Sequence, residues 1–234
     1  MNTQNDREVI DIAEYSANGK HPPKGLRYRF LLDKTPHVSD EAELTGRQIL
    51  AFGNMDPQQY NLFQAERGGQ RIPIGADQVV DLTKPGIERF FTMKNEHNNG
   101  DGPAKPEFDL PVEDLTHLRS LRLEWEAFQA DGQRWLLIHN WPIPQGLNPG
   151  HADIALRIDP NYPMSQIDMA YFRPPLSHAL GRDIPNLVAI QIRGESWQQW
   201  SRHRPPDGWR PGIDSLESHL AYVDHFLAHA VGGN

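Results

Sequence analysis

Cysteine is absent from the 234 residues. This excludes disulfides, thiolate-bound zinc, iron–sulfur clusters and any thiol nucleophile. Long hydrophobic runs are missing too: nothing approaches the ~18 apolar residues of a membrane helix. The opening MNTQNDREVI lacks the apolar core of a secretory leader. A reducing, cytoplasmic setting is expected, with no membrane contact. Positive charge is scarce: 23 Lys and Arg stand against 31 Asp and Glu, a net charge of −8. A general nucleic-acid binder needs a basic footprint, so none is expected. Internal repeats and low-complexity tracts are also lacking.

What remains is enough for packed cores: 38% of residues are hydrophobic. The 19 glycines and 20 prolines predict short elements and many turns. Residues 1–24 read as a polar arm ending in Pro22-Pro23. Residues 25–96 read as one small α+β domain in the order β-β-α-β-β-β. Tyr28, Phe30 and Leu32 fall on one strand face, Thr45 is placed to cap a helix, and Ile87–Met93 forms the last strand. Val79–Leu82 reads as a short apolar turn. The Asn-, Gly- and Pro-rich stretch 97–112 reads as a linker.

A second α+β domain is expected over 113–231. A short helix at 114–121 precedes a hairpin turning at Asp131-Gly132, further strands at 154–158 and 167–171, a Pro-rich irregular stretch at 172–185, and a strand at 187–192. Ile213, Leu216, Leu220, Val223 and Leu227 then recur at helical spacing. His225 and His229 are one turn apart, but no third ligand accompanies them, so no metal is expected.

Several short motifs resemble known families. Tyr28-Arg29-Phe30-Leu31-Leu32-Asp33, Leu44-Thr45-Gly46-Arg47-Gln48-Ile49-Leu50, Val80-Asp81-Leu82 and Phe90-Phe91 resemble the multiubiquitin family of bacterial ubiquitin-like β-grasp domains. Trp135-Leu136-Leu137-Ile138, Pro142-Ile143-Pro144, Asp159-Pro160-Asn161-Tyr162-Pro163, Trp200-Ser201-Arg202-His203 and Trp209-Arg210-Pro211-Gly212 resemble the prokaryotic E2 family, with the ubiquitin-conjugating fold. Fusions of this kind are associated with bacterial ubiquitination-like operons that also encode an E1 and a peptidase and are linked to antiviral defence. The resemblance implies an α+β chain, a β-grasp domain followed by an E2-like domain. It would serve as an acyl transferase whose partners are an E1-like adenylating enzyme, a ubiquitin-like modifier, a processing peptidase and target proteins. No cofactor is implied for the chain itself, ATP being used by the E1.

In ordinary E2 enzymes a Trp-x-Pro element follows the active cysteine by eight residues and leads into a helix. Eight residues before Trp209 is Ser201. The His-Pro-Asn motif expected upstream is absent, Gln191-Ile192-Arg193 standing there. The resemblance therefore implies a serine that carries the modifier tail as an oxyester. A serine hydroxyl needs a base, and His203 is two residues away; in an extended segment i and i+2 project to one side. Arg202 and Arg204, with Arg193 and Arg210, supply cations for an oxyanion or a bound tail, and Trp200 and Trp209 are candidates for a tail-docking groove. The same position also reads as a loop serine on an inactive scaffold, or as a serine put in place of a native cysteine, and Ser196 is a rival. Gly100 is the candidate C-terminus if a peptidase releases the modifier, since glycine lets backbone enter a narrow channel. It reads equally as linker glycine.

Lysine stops at Lys105; beyond it every Lys-or-Arg position is Arg. A guanidinium does not compete for an activated ester as an amine does, although a GC-rich genome would give the same pattern.

Overall fold

The computed structural model describes residues 8–67, 70–94, 106–205, 208–211 and 213–232. They form two compact units, one centred on residues 8–94 and the other on 114–210 with 214–232. Among the described residues no helix is long and apolar enough to cross a membrane.

The first unit runs β1 (Val9–Asp11), α1 (Ile12–Ala17), β2 (Arg27–Leu32), β3 (Thr35–Ser39), β4 (Glu43–Thr45), α2 (Gly46–Phe52), β5 (Tyr60–Glu66), β6 (Gln70–Ile74), β7 (Val79–Asp81) and β8 (Ile87–Lys94). Alternation along β2 buries Tyr28, Phe30 and Leu32 to 1% exposure each, as period-2 patterning requires. Asp33 and Lys34, both at positive φ, close the β2–β3 hairpin in the left-handed conformation that two-residue turns favour. Thr45 and Gln48 form a reciprocal capping box at the start of α2, which lays Ile49 and Leu50 into the core beside Phe30, Leu62, Leu82 and Phe90. The main sheet is mixed: β3 pairs antiparallel with β2, β2 parallel with β8, and β8 antiparallel with β5, which pairs with β6.

Two expectations are corrected here. The segment read as a polar arm contains β1, which pairs parallel with β2, and α1, capped by the Asp11 carboxylate. Val9-Ile10-Asp11-Ile12 is too short to stand out, yet Ile10 and Ile12 are buried, which is what holds it on the sheet. Val79–Asp81 is a strand rather than a turn, pairing with β4 in a separate two-stranded sheet.

Asp33 is half-buried at its turn, accepting hydrogen bonds from the Thr92 amide (2.7 Å) and hydroxyl (2.5 Å). Burial outweighs those bonds and pushes the carboxyl up to about 6. The folded state thus holds this proton more tightly than the unfolded chain does. Stability from this group is full below about pH 4 and is lost as pH rises through 6, a change of about 3 kcal/mol. Asp33→Asn is expected to remove that part of the pH dependence. Urea titrations followed by NMR signals of this unit at pH 4 and pH 7 should show the variant gaining relative to the parent at the higher pH.

The second unit runs α3 (Val112–Leu121), β9 (Trp125–Ala130), β10 (Gln133–Pro142), β11 (Leu147–Asn148), β12 (His151–Ile158), β13 (Asp168–Arg173), β14 (Ser177–His178), β15 (Leu187–Ile192), β16 (Glu195–Trp200) and α4 (Leu216–Gly232). Its six-stranded sheet is antiparallel in the order β15-β16-β13-β12-β10-β9. One face carries Phe128, Trp135, Leu137, Tyr171 and Trp197. Trp200 belongs to the opposite face, with Phe226 of α4 against its ring (4.9 Å between centroids).

The amino end of α4 is held by a buried network: Tyr162 donates to Asp114 (2.5 Å), and the Leu216 amide donates to the Tyr162 hydroxyl (2.8 Å) and to Asp114 (3.2 Å). These bonds satisfy an amide that a helix start leaves without a partner. The helix begins at Leu216, so Ile213, expected on its buried stripe, lies ahead of it and is 58% exposed.

The stretch 97–112 also differs from a free linker where it is described. The Glu107 amide donates to the Ala127 carbonyl (2.8 Å), and Phe108 is buried beneath the Arg134 guanidinium. Gly100 lies outside the described residues.

Candidate functional site

The site is built by β16, by the turn that follows it and by the start of β13. No strand is expected between 187–192 and the last helix, which leaves 193–200 without an assigned element. It is instead a strand paired on both sides, entered through Arg193-Gly194, both at positive φ. Such a pair closes a tight hairpin with β15.

Strand alternation sends Trp197 and Trp200 to opposite faces. Trp200 is fully buried (0% exposed), between Phe172 and Phe226. Trp209 is 9% exposed, its indole donating to the Pro163 carbonyl (3.0 Å) beside Tyr162. Neither indole is a surface for a docked tail. Both are core anchors, and this corrects the groove expected from them.

Ser201 sits where the strand ends. Its amide donates to the Asn186 carbonyl (3.0 Å), and the next amide, Arg202, folds back to Trp200 O (3.0 Å). This i-to-i+2 closure is a tight turn centred on Ser201. It breaks the extended geometry that would have put His203 on the same side. The expected Ser201–His203 hydrogen bond is accordingly not made. Ser201 Oγ accepts from Gln199 Nε2 (3.0 Å), and its own hydrogen faces only the Met169 thioether at 4.0 Å.

The His203 ring turns instead to Asp168, with Nδ1 3.0 and 3.1 Å from the two carboxylate oxygens. The imidazole is 58% exposed. Its backbone is tied down by Tyr222 of α4, whose hydroxyl donates to the His203 carbonyl (3.1 Å).

Asp168 is the site residue that sequence reasoning missed. It begins β13, where the pairing with β12 slips between Ala155 and Arg157 and Met169 takes φ +63. A β-bulge with a left-handed, non-glycine residue re-aims the side chains next to it. The Met169 carbonyl is capped by His219 Nε2 (3.0 Å). Since a carbonyl only accepts, Nε2 carries the proton. His219 Nδ1 is buried without a partner, and burial pushes this imidazole down to about 4.

Of the four cations, three are committed. Arg204 donates to the Ser218 carbonyl (3.1 Å) and stacks between Tyr222 and Trp209, latching the loop to α4. Arg193 pairs with Glu126 (3.0 Å) and Arg210 with Asp214 (3.2 Å). Arg204 is thus a structural latch rather than a tail-binding cation. Arg202 lies over the Trp200 ring (5.6 Å), with its Nε buried and unpartnered. Among the described residues there is no group of three or more side chains able to hold a metal.

A β-grasp unit is followed along the chain by an α+β unit in which a helix, an antiparallel sheet and a Trp-x-Pro element lead into a second helix. That is the ubiquitin-like and E2-like class of fold. Residues 110–230, just over half of the chain, match prokaryotic E2 family E, and the chain belongs to that family. Residues 28–95 match the multiubiquitin family. No curated protein and no solved structure is similar enough to the chain to count as a match. The two family matches together support a role in a ubiquitin-like conjugation pathway.

Proposed function

We propose that the chain accepts an activated ubiquitin-like tail on Ser201 as an oxyester and transfers it to a target amine. The observation that carries this reading is the placement of Ser201: a hydroxyl whose hydrogen is held only by the Met169 thioether at 4.0 Å, at a turn ahead of Trp209-x-Pro211 and α4, two residues from a carboxylate-paired imidazole. In the loading step the His203 ring, which makes no hydrogen bond to Ser201 in the free chain, swings to the hydroxyl as the tail binds; the Oγ–H bond then breaks and its proton passes to His203. Oγ bonds to the tail's carbonyl carbon. The bond from that carbon to its activating group, a thiolate or adenylate of a partner E1, breaks with the electron pair leaving on that group. ATP is consumed by the E1. Arg202 is the cation available to the developing oxyanion.

A peptidase cutting at Gly100 would release the β-grasp domain as modifier, in the cytoplasm, within an operon of the defence type. The second reading is a non-catalytic scaffold that recruits pathway partners through its two folds. It is favoured by Ser201 Oγ already accepting a bond from Gln199.

Incubating the full chain with an adenylating enzyme, ATP and modifier decides between them. The carrier reading expects a covalent adduct that hydroxylamine cleaves and that Ser201→Ala abolishes. No adduct at all favours the scaffold, and an adduct that persists in Ser201→Ala overturns Ser201 as the carrier.

A further inference from the structure

We propose that Asp168 is a positioning residue for Ser201 chemistry, acting through His203; the inference rests on the serine-carrier reading. A carboxylate at 3.0 and 3.1 Å from Nδ1 accepts only, so in the neutral ring the hydrogen sits on Nδ1. The lone pair is thereby placed on Nε2. Nε2 makes no hydrogen bond among the described residues, and the ring is mostly exposed. The base is therefore prepared in the tautomer that can take a proton.

Both ends of the pair are fixed independently. On one side, the bulge at Met169 aims the Asp168 carboxylate, and His219 holds the Met169 carbonyl. On the other, Tyr222 holds the His203 carbonyl. Ser201 lies between them along the chain, its hydroxyl against Met169 itself. One residue at positive φ thus abuts the nucleophile, directly follows Asp168, and is braced from α4. Sequestering strain at such a point is characteristic of functional sites. The charged and titratable groups around the pair are Arg157 and Tyr171 on the sheet, Arg204 in the loop and His219 on α4. Arg204 is spent on the Ser218 carbonyl, which leaves Asp168 as the group that sets the tautomer.

The step this prepares is balanced within the named groups. Ser201 loses its hydrogen to Nε2, the imidazolium charge is held by the Asp168 carboxylate, and the proton is returned to the departing thiolate or phosphate of the acyl donor.

A fluorophosphonate probe tests this on the full chain without an E1. Oγ displaces fluoride from phosphorus, so the labelling rate reads serine activation. The parent should label at Ser201. Asp168→Asn, whose amide can donate to Nδ1 and so impose the other tautomer, should slow labelling on the order of 10²-fold or more. Asp168→Glu should recover part of the rate. In the His203→Ala background, Asp168→Asn should have no further effect, since a residue acting through another is silent without it. Nitrogen-15 NMR of the His203 ring should show hydrogen on Nδ1 in the parent and on Nε2 in Asp168→Asn.

Labelling of Asp168→Asn at the parental rate overturns the inference while leaving the serine carrier standing. So does an effect that adds to that of His203→Ala, which marks Asp168 as merely structural. A parent chain that does not label at Ser201 overturns both.

Discussion

Trp200→Ala is expected to destabilise the second unit by about 3–5 kcal/mol, the range for truncating a fully buried large aromatic. The indole is 0% exposed and packs edge-on against Phe226 of α4 and Phe172 of β13. Its loss would leave a cavity between the sheet and the helix that braces the site. Trp200→Phe should cost far less, because the indole N–H has no partner to lose and most of the ring contact survives. Urea or thermal unfolding measures both. A tail-docking Trp200 would behave in the opposite way, with stability kept and tail binding lost.

Much of this was legible in the residues. Tyr28, Phe30 and Leu32 announced β2 by alternation, Thr45 announced the start of α2, and Asp131-Gly132 announced the β9–β10 hairpin, since local pattern and local structure agree there. Other parts were not. β1 is held by pairing with β2, a tertiary event that four residues of sequence do not express. β16 reads Glu-Ser-Trp-Gln-Gln-Trp, too polar for a strand pattern, although Arg193-Gly194 ahead of it was a usable hairpin signal. The candidate site shows the same division. Ser201 follows from its distance to Trp209. Asp168 comes from a strand more than thirty residues earlier, at a bulge that no periodicity predicts. The spacing rule that joined Ser201 to His203 failed because one backbone hydrogen bond, from Arg202 to Trp200, turned the chain between them.

His203→Ala is the second large effect. General-base assistance is typically worth 10²–10⁴-fold, so loading of the full chain at neutral pH should slow by that order. Ser201→Cys gives the control. A thiol ionises near pH 8.5 without help, so the cysteine variant should load as a thioester that a reducing thiol cleaves, and His203→Ala should matter much less in that background. Equal losses in both backgrounds would mean that His203 shapes the loop rather than moving a proton. Tyr222, Arg204 and Trp209 already hold that loop in place, which is why the comparison needs both nucleophiles.

The most direct measurement is the position of the acyl group. After incubation with an adenylating enzyme, ATP and modifier, cleavage after arginine gives a peptide running from Gly194 to Arg202, which contains Ser196 and Ser201. The account predicts that fragmentation of this peptide places a hydroxylamine-sensitive modification on Ser201. A modification on Ser196, on an amine elsewhere in the chain, or on no residue at all would contradict it.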